Sequence, residues 1–261
     1  QGEVIWVVRG QTDRQTFDDS QPAEGGLFQL MTSPDGLRWT GKIDMGLPRG
    51  PALFQAPNYR PIGISDMVRV RWDPKLNKYI ANIKYLIGPD MRVSPACHTG
   101  RVVAMCESDD LIHWSSPRVY AYPDGEDTKM PGMWGIYEAD GFPYESMWLN
   151  HFSMTWYIPA SKEDSRKRNL MPTRPYIKRN RIRLAGSRDG RHWYYLGARQ
   201  PFIELGPDDS WKPHYLRIVN RHTVGGPVLK GDELWFYYNG LKYSGWSPKP
   251  DYQDPDRGAV C

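Results

Sequence analysis

The chain has 261 residues, enough for one large all-β domain or two small ones, and its 11 Trp, 16 Tyr, 25 Gly and 23 Pro suit many short strands joined by tight turns. The 34 Lys and Arg exceed the 30 Asp and Glu by only four, and the one basic cluster, Lys178, Arg179, Arg181 and Arg183, has no interleaved aromatics and reads as a solvated strand face, so nucleic acid is excluded as a partner. No apolar run approaches the ~18 residues of a membrane span, so no membrane partner is expected.

In chain order, the first expected strand is Gly26 to Thr32, followed by the segment Ser33 to Trp39 (SPDGLRW). Runs at Val68 to Trp72 and Lys78 to Tyr85 alternate or mix apolar and polar residues as half-buried strands do. A strand at Arg101 to Glu107 then leads into Ser108 to Trp114 (SDDLIHW). Ser146 to Tyr157 reads as a further strand, and Arg181 to Gly186 leads into Ser187 to Trp193 (SRDGRHW). Glu233 to Asn239 is the last expected strand.

The three Ser-x-Asp segments start at residues 33, 108 and 187, spacings of 75 and 79. Ser and Asp side chains bond the backbone two residues on, and Gly36 and Gly190 accept positive φ, so each segment is expected to be a hairpin turn. Leu111 stands where the other two have Gly. A period of this length accommodates one four-stranded blade of a β-propeller with long loops. Ordinary hairpins of a β-sandwich are the alternative.

These passages resemble the five-bladed β-propellers of glycoside hydrolase families 32 and 43 and their family 32 N-terminal-like relatives. SDDLIHW and SRDGRHW resemble the blade turns, Arg71 to Tyr79 (RWDPKLNKY) a Trp-Asp-Pro strand-turn-strand, Gly141 to Leu149 (GFPYESMWL) a Phe-Pro-Tyr-Glu segment, and Gly225 to Gly240 a late blade hairpin. The resemblance implies an all-β propeller with about four blades' worth of chain visible, residues 1–261 forming a single domain that is a fragment of a longer protein. It implies a glycoside hydrolase acting on a poly- or oligosaccharide, with three acids pointing into a central funnel from the innermost strands of three successive blades. Cleaving a glycosidic bond requires a proton donor on the leaving oxygen and a carboxylate opposite it. A non-catalytic carbohydrate-binding propeller is the alternative.

The catalytic candidates are Glu145 and Asp66, 79 residues apart, about one repeat. Glu145 lies between Pro143, Tyr144 and Trp148, and aromatic surroundings would raise a carboxyl pKa as a general acid needs. Glu138 and Asp140 are nearby rivals, and a turn or cap role is the plain reading of Asp66. One repeat before Asp66 falls outside the chain, so either an earlier acid precedes Gln1 or Asp66 is the first, with Glu204 or Asp208 third; loss of catalysis is the remaining possibility. For substrate binding the candidates are Trp134 and Trp211 as stacking platforms and Arg69, Arg101, His98 and His214 as donors.

Cys97, Cys106 and Cys261 show no CxxC or Cys/His spacing, and no Gly-rich phosphate loop follows a strand, so no metal or other cofactor is expected. A Cys97–Cys106 pair across a hairpin stays open. The start at Gln1 without a signal-peptide pattern fits a processed protein or a piece of a longer one. The compartment stays open, with an extracellular or periplasmic one favoured.

Overall fold

The computed structural model describes residues 4–9, 28–35, 37–44, 47, 64–86, 101–129, 133–163, 176–204, 212–215, 227–236, 239–241 and 258–260. These are almost entirely antiparallel β-structure, and no described helix is long and apolar enough to cross a membrane. Three successive sheets dominate. The first joins β1 (Val4–Arg9), β2 (Phe28–Ser33) and β3 (Thr40–Asp44) in chain order. The second joins β4 (Ile64–Asp73), β5 (Lys78–Leu86), β6 (Arg101–Ser108) and β7 (Arg118–Ala121), again in chain order. The third joins β8 (Met133–Tyr144), β9 (Met147–Pro159), β10 (Tyr176–Ser187) and β11 (Tyr194–Tyr195), with β12 (Pro201–Ile203) also paired to β10.

Beyond them β13 (Lys212–Tyr215), β16 (Asn239–Leu241) and β17 (Gly258–Val260) form a small sheet, and β14 (Val228–Lys230) pairs with β15 (Glu233–Trp235). The expected strand Glu233 to Asn239 is therefore cut after Trp235, and Asn239 belongs to a different sheet. Among the described residues no sheet closes on itself.

The three Ser-x-Asp segments occupy equivalent places, each leaving the end of β2, β6 or β10 in a separate sheet. The local chemistry is the same each time. Ser33, Ser108 and Ser187 are buried, and each Oγ donates to Oδ1 of the Asp two residues on, at 3.0–3.1 Å. That same Oδ1 accepts two backbone N–H groups at 2.7–2.9 Å: Leu37 and Arg38, Ile112 and His113, Arg191 and His192. A carboxylate holding two turn amides substitutes for the strand ladder that ends there. Gly190 takes φ +71°, and Leu111 takes φ +69° at the corresponding place despite its side chain. The strain is tolerated because Leu111 is only 5% exposed, packed with Leu30, Leu47, Ala81, Ile83 and Cys106 between the first and second sheets.

A second apolar cluster joins the next two sheets: Val103 and Ala121 meet Ile136, Ala139, Phe152, Met154, Trp156 and Ala185. At its edge the Arg191 guanidinium forks onto Glu107 at 2.7 and 2.9 Å, tying the third turn to β6. Cys106 is a free, buried thiol within the first cluster, and Cys97 lies outside the described residues.

Candidate functional site

β8 of the third sheet packs across β6, β5 and β4 of the second, and buried polar groups collect between them. Along β4, Val68 and Val70 pack into the first apolar cluster, while Arg69 and Arg71 alternate with them and turn toward the third sheet. Arg69 Nε donates to Glu138 Oε1 at 2.6 Å, and Glu138 is 3% exposed. Arg71 Nη1 donates to Asp73 Oδ2 at 2.6 Å, and its Nε lies 3.9 Å from Asp140 Oδ1. Asn82 Nδ2 donates to the same Asp140 oxygen at 3.1 Å, and Tyr120 Oη donates to Asn82 Oδ1 at 2.9 Å.

On β8 and β9 the register sets Glu138 opposite Ser153 and Asp140 opposite His151, so four buried polar side chains form one block. Glu138 Oε2, Ser153 Oγ and both ring nitrogens of His151 have no hydrogen-bond partner among the described residues. Buried polar groups are ordinarily satisfied, so a block with this many open donors and acceptors is built to meet something polar. Burial, aided by the Arg69 charge, pushes His151 down to about 3, which keeps the imidazole neutral. Burial pushes Asp140 up to about 6 in spite of Arg71 and Arg69, with Glu138 adding to the rise.

Both strands are irregular where their carboxylates sit. The β4–β5 register shifts between Ile64 and Val68, a stretch that contains Asp66, and the β8–β9 register shifts between Ile136 and Glu138. Such bulges re-aim side chains and concentrate beside active sites. The backbone of Asp66 is three residues from Arg69 and therefore at the same end of β4 as the Arg69–Glu138 contact.

Glu145 is placed elsewhere. It occupies the exposed two-residue turn between β8 and β9 with φ +46°, and its carbonyl accepts from Lys75 in the turn that follows β4. Seven residues of strand, about 23 Å at ~3.3 Å each, run from Asp66 to the end of β4 beside that turn, so the backbone positions of Glu145 and Asp66 are far apart. The aromatic neighbour Trp148 turns inward instead, donating from Nε1 to Asp73 at 2.8 Å.

Arg69 joins the block directly. Arg101 opens β6 and stacks its guanidinium 5.5 Å over the Tyr157 ring. Trp134 lies on β8 opposite Trp156, four residues before Glu138, and His214 lies on β13; only their backbones are described. His98 and Trp211 lie outside the described residues. Among the described residues no group of three His, Cys, Asp or Glu side chains is arranged to hold a metal ion. Sequence reasoning did not single out His151 and Ser153, two of the four polar residues, with Asn150 and Thr155, in a strand otherwise almost wholly apolar.

No protein-family model matches the chain, and no curated protein matches it. Solved structures do. The chain is similar to an N-acetylgalactosamine deacetylase from F. plautii solved with blood group B trisaccharide, at 17% identity over 74% of this chain and 49% of that one, TM-score 0.41. It is similar to a glycosyl hydrolase from Bacteroides ovatus at 13% identity over 89% and 56%, TM-score 0.47, and to another glycoside hydrolase at 11% over 92% and 57%, TM-score 0.46. The chain spans about half the length of these structures.

Proposed function

We propose that the chain is part of a β-propeller glycoside hydrolase, its three stacked sheets being successive blades, with Glu138 and Asp66 as the working carboxylates. The observation that carries this reading is the Arg69–Glu138 contact, which joins the first strands of consecutive sheets where each strand's register breaks at a carboxylate. One acid on the first strand of each successive blade is what the family resemblance implies.

Arg69 is ion-paired with Glu138 through Oε1, and Oε2, which has no partner among the described residues, is left to act as the carboxylate opposite the leaving group. Asp66, three residues from Arg69, is the acid that delivers a proton to the glycosidic oxygen. Neutral His151 and Ser153 supply donors and acceptors for sugar hydroxyls, and Asp140 is a positioning residue held by Asn82 and Arg71. The test is release of reducing sugar from a panel of neutral oligosaccharides by the intact protein. Glu138→Gln lowers that rate on the order of 10²–10⁴-fold, the usual worth of a positioned acid or base, and unchanged turnover overturns the assignment.

A further inference from the structure

We propose a second saccharide site, separate from the Glu138 block, in the cavity between the outer strands of the second and third sheets, taking one or two rings of an uncharged glycan. The cavity measures about 620 Å³, within the ~300–1,000 Å³ span of small-molecule sites. Its walls are aromatic: Tyr120 and Tyr122 from one sheet, Trp193, Tyr194 and Tyr195 from the other. Tyr122 and Tyr194 are 39% and 46% exposed, so ring surface is offered at the mouth.

Two polar features stand among these rings. Arg199 forks onto Asp124, with Nη1 to Oδ1 at 2.9 Å and a second bond from Nη2 to Oδ2, and both side chains are about one-third exposed. Trp193 Nε1 is buried with no acceptor among the described residues. A pyranose ring has an apolar C–H face and an edge of paired hydroxyls. The face stacks on Tyr122 or Tyr194, neighbouring hydroxyls bridge the carboxylate and guanidinium of the fork, and a hydroxyl oxygen accepts from Trp193.

Other small ligands fit less well. An aromatic cage for a quaternary ammonium needs open ring faces and uncompensated negative charge. Here the Arg199 guanidinium already lies 4.4 Å over Tyr195, and Lys129 is paired to Glu126 at 2.7 Å. A phosphate would meet the carboxylates of Asp124 and Glu126. Tyr120 is a shared wall: its ring lines the cavity while its hydroxyl is tied to Asn82, so the cavity backs onto the Asp140 side of the block.

The site stands on its own geometry and goes beyond the hydrolytic reading. The test is calorimetric titration of the intact protein carrying Glu138→Gln with mannotetraose, xylotetraose and galactotetraose, with choline as the cationic probe. At least one tetrasaccharide is expected to bind, and adding Tyr122→Ala and Tyr194→Ala is expected to remove one binding event or weaken it at least tenfold. Hydrolysis by the protein with Glu138 intact is expected to survive the two Tyr substitutions. No tetrasaccharide binding that depends on the two tyrosines, or choline binding in its place, overturns the proposal. Cavity binding in a protein without hydrolysis upholds this site and overturns only the enzymatic reading.

Discussion

Replacing Asp73 by Asn exchanges one carboxylate oxygen for an amide while leaving the shape of a side chain that is 0% exposed. Asp73 Oδ2 accepts from Arg71 at 2.6 Å and Trp148 at 2.8 Å, and Oδ1 accepts the backbone N–H groups of Lys75 and Leu76 at 3.0 and 3.1 Å. An amide that keeps its oxygen on the turn aims an NH2 group at two donors and leaves buried Arg71 with only the more distant Asp140 carboxylate, 3.9 Å away. Breaking a buried ion pair from one side costs about 3–5 kcal/mol, a large part of the ~5–15 kcal/mol that a domain has.

The assay is urea unfolding at pH 7, where the midpoint is expected to fall by more than about 1 M at a slope of ~2–3 kcal/mol per molar. Arg71→Met in the same background completes a cycle whose double variant loses about 1–3 kcal/mol less than the sum, since neither charge is then stranded. Burial raises the Asp73 pKa, but the bond and charge of Arg71, then Trp148 and the Leu76 amide, outweigh it and hold the carboxyl below its ordinary 3.8. A depressed folded pKa contributes stability above pH ~4 that is lost as pH falls through it, so Asp73→Asn also flattens the acid limb of the stability profile. A loss under about 1 kcal/mol, or strict additivity in the cycle, would refute the reasoning.

Two further outcomes are expected. Leu111→Gly relieves a φ of +69°, worth ~1–2 kcal/mol, but empties a buried site at a cost of ~2–5 kcal/mol, so thermal unfolding should show net destabilisation of about 1–3 kcal/mol; a stabilised variant would mean the packing is misassigned. Asp140 runs opposite to Asp73: burial raises its folded pKa from 3.8 to about 6, so it lowers stability as pH rises across that interval. Asp140→Asn should remove this slope between pH 4 and 6 in a melting-temperature series, and an unchanged slope would remove Asp140 as its source.

The turns were legible in sequence because their chemistry is local: Ser33, Ser108 and Ser187 bond an Asp only two residues away, and the same side chains recur in the same order. Strands with alternating patterns were also legible, β5 and β6 to within a residue. The strand β8 was not, because Gly135, Gly141 and Pro143 interrupt it and two carboxylates occupy alternate positions. Its glycine has a spatial cause: a Cβ on Gly141 would come within 2.6 Å of Trp193, a contact invisible without the fold. The sequence neighbours of Glu145 put it forward as a catalytic candidate, with Glu138 as a nearby rival. Aromatic neighbours in sequence suggest burial, but a two-residue turn carries Glu145 outward while Trp148 goes to Asp73. What distinguishes Glu138 is its partner Arg69, 69 residues earlier, which only the stacking of the two sheets supplies.

The central claim, that Glu138 is the working carboxylate opposite the leaving group, is tested most directly by comparing Glu138→Gln with Glu145→Gln on two substrates of one sugar: a natural glycoside and an activated aryl glycoside whose leaving group departs without a proton. Glu138→Gln is expected to lose on the order of 10²–10⁴-fold in kcat/KM on both substrates, since a good leaving group does not replace the missing carboxylate, with Glu145→Gln close to wild type on both. The reverse pattern, with the selective loss at Glu145 and none at Glu138, would contradict the account.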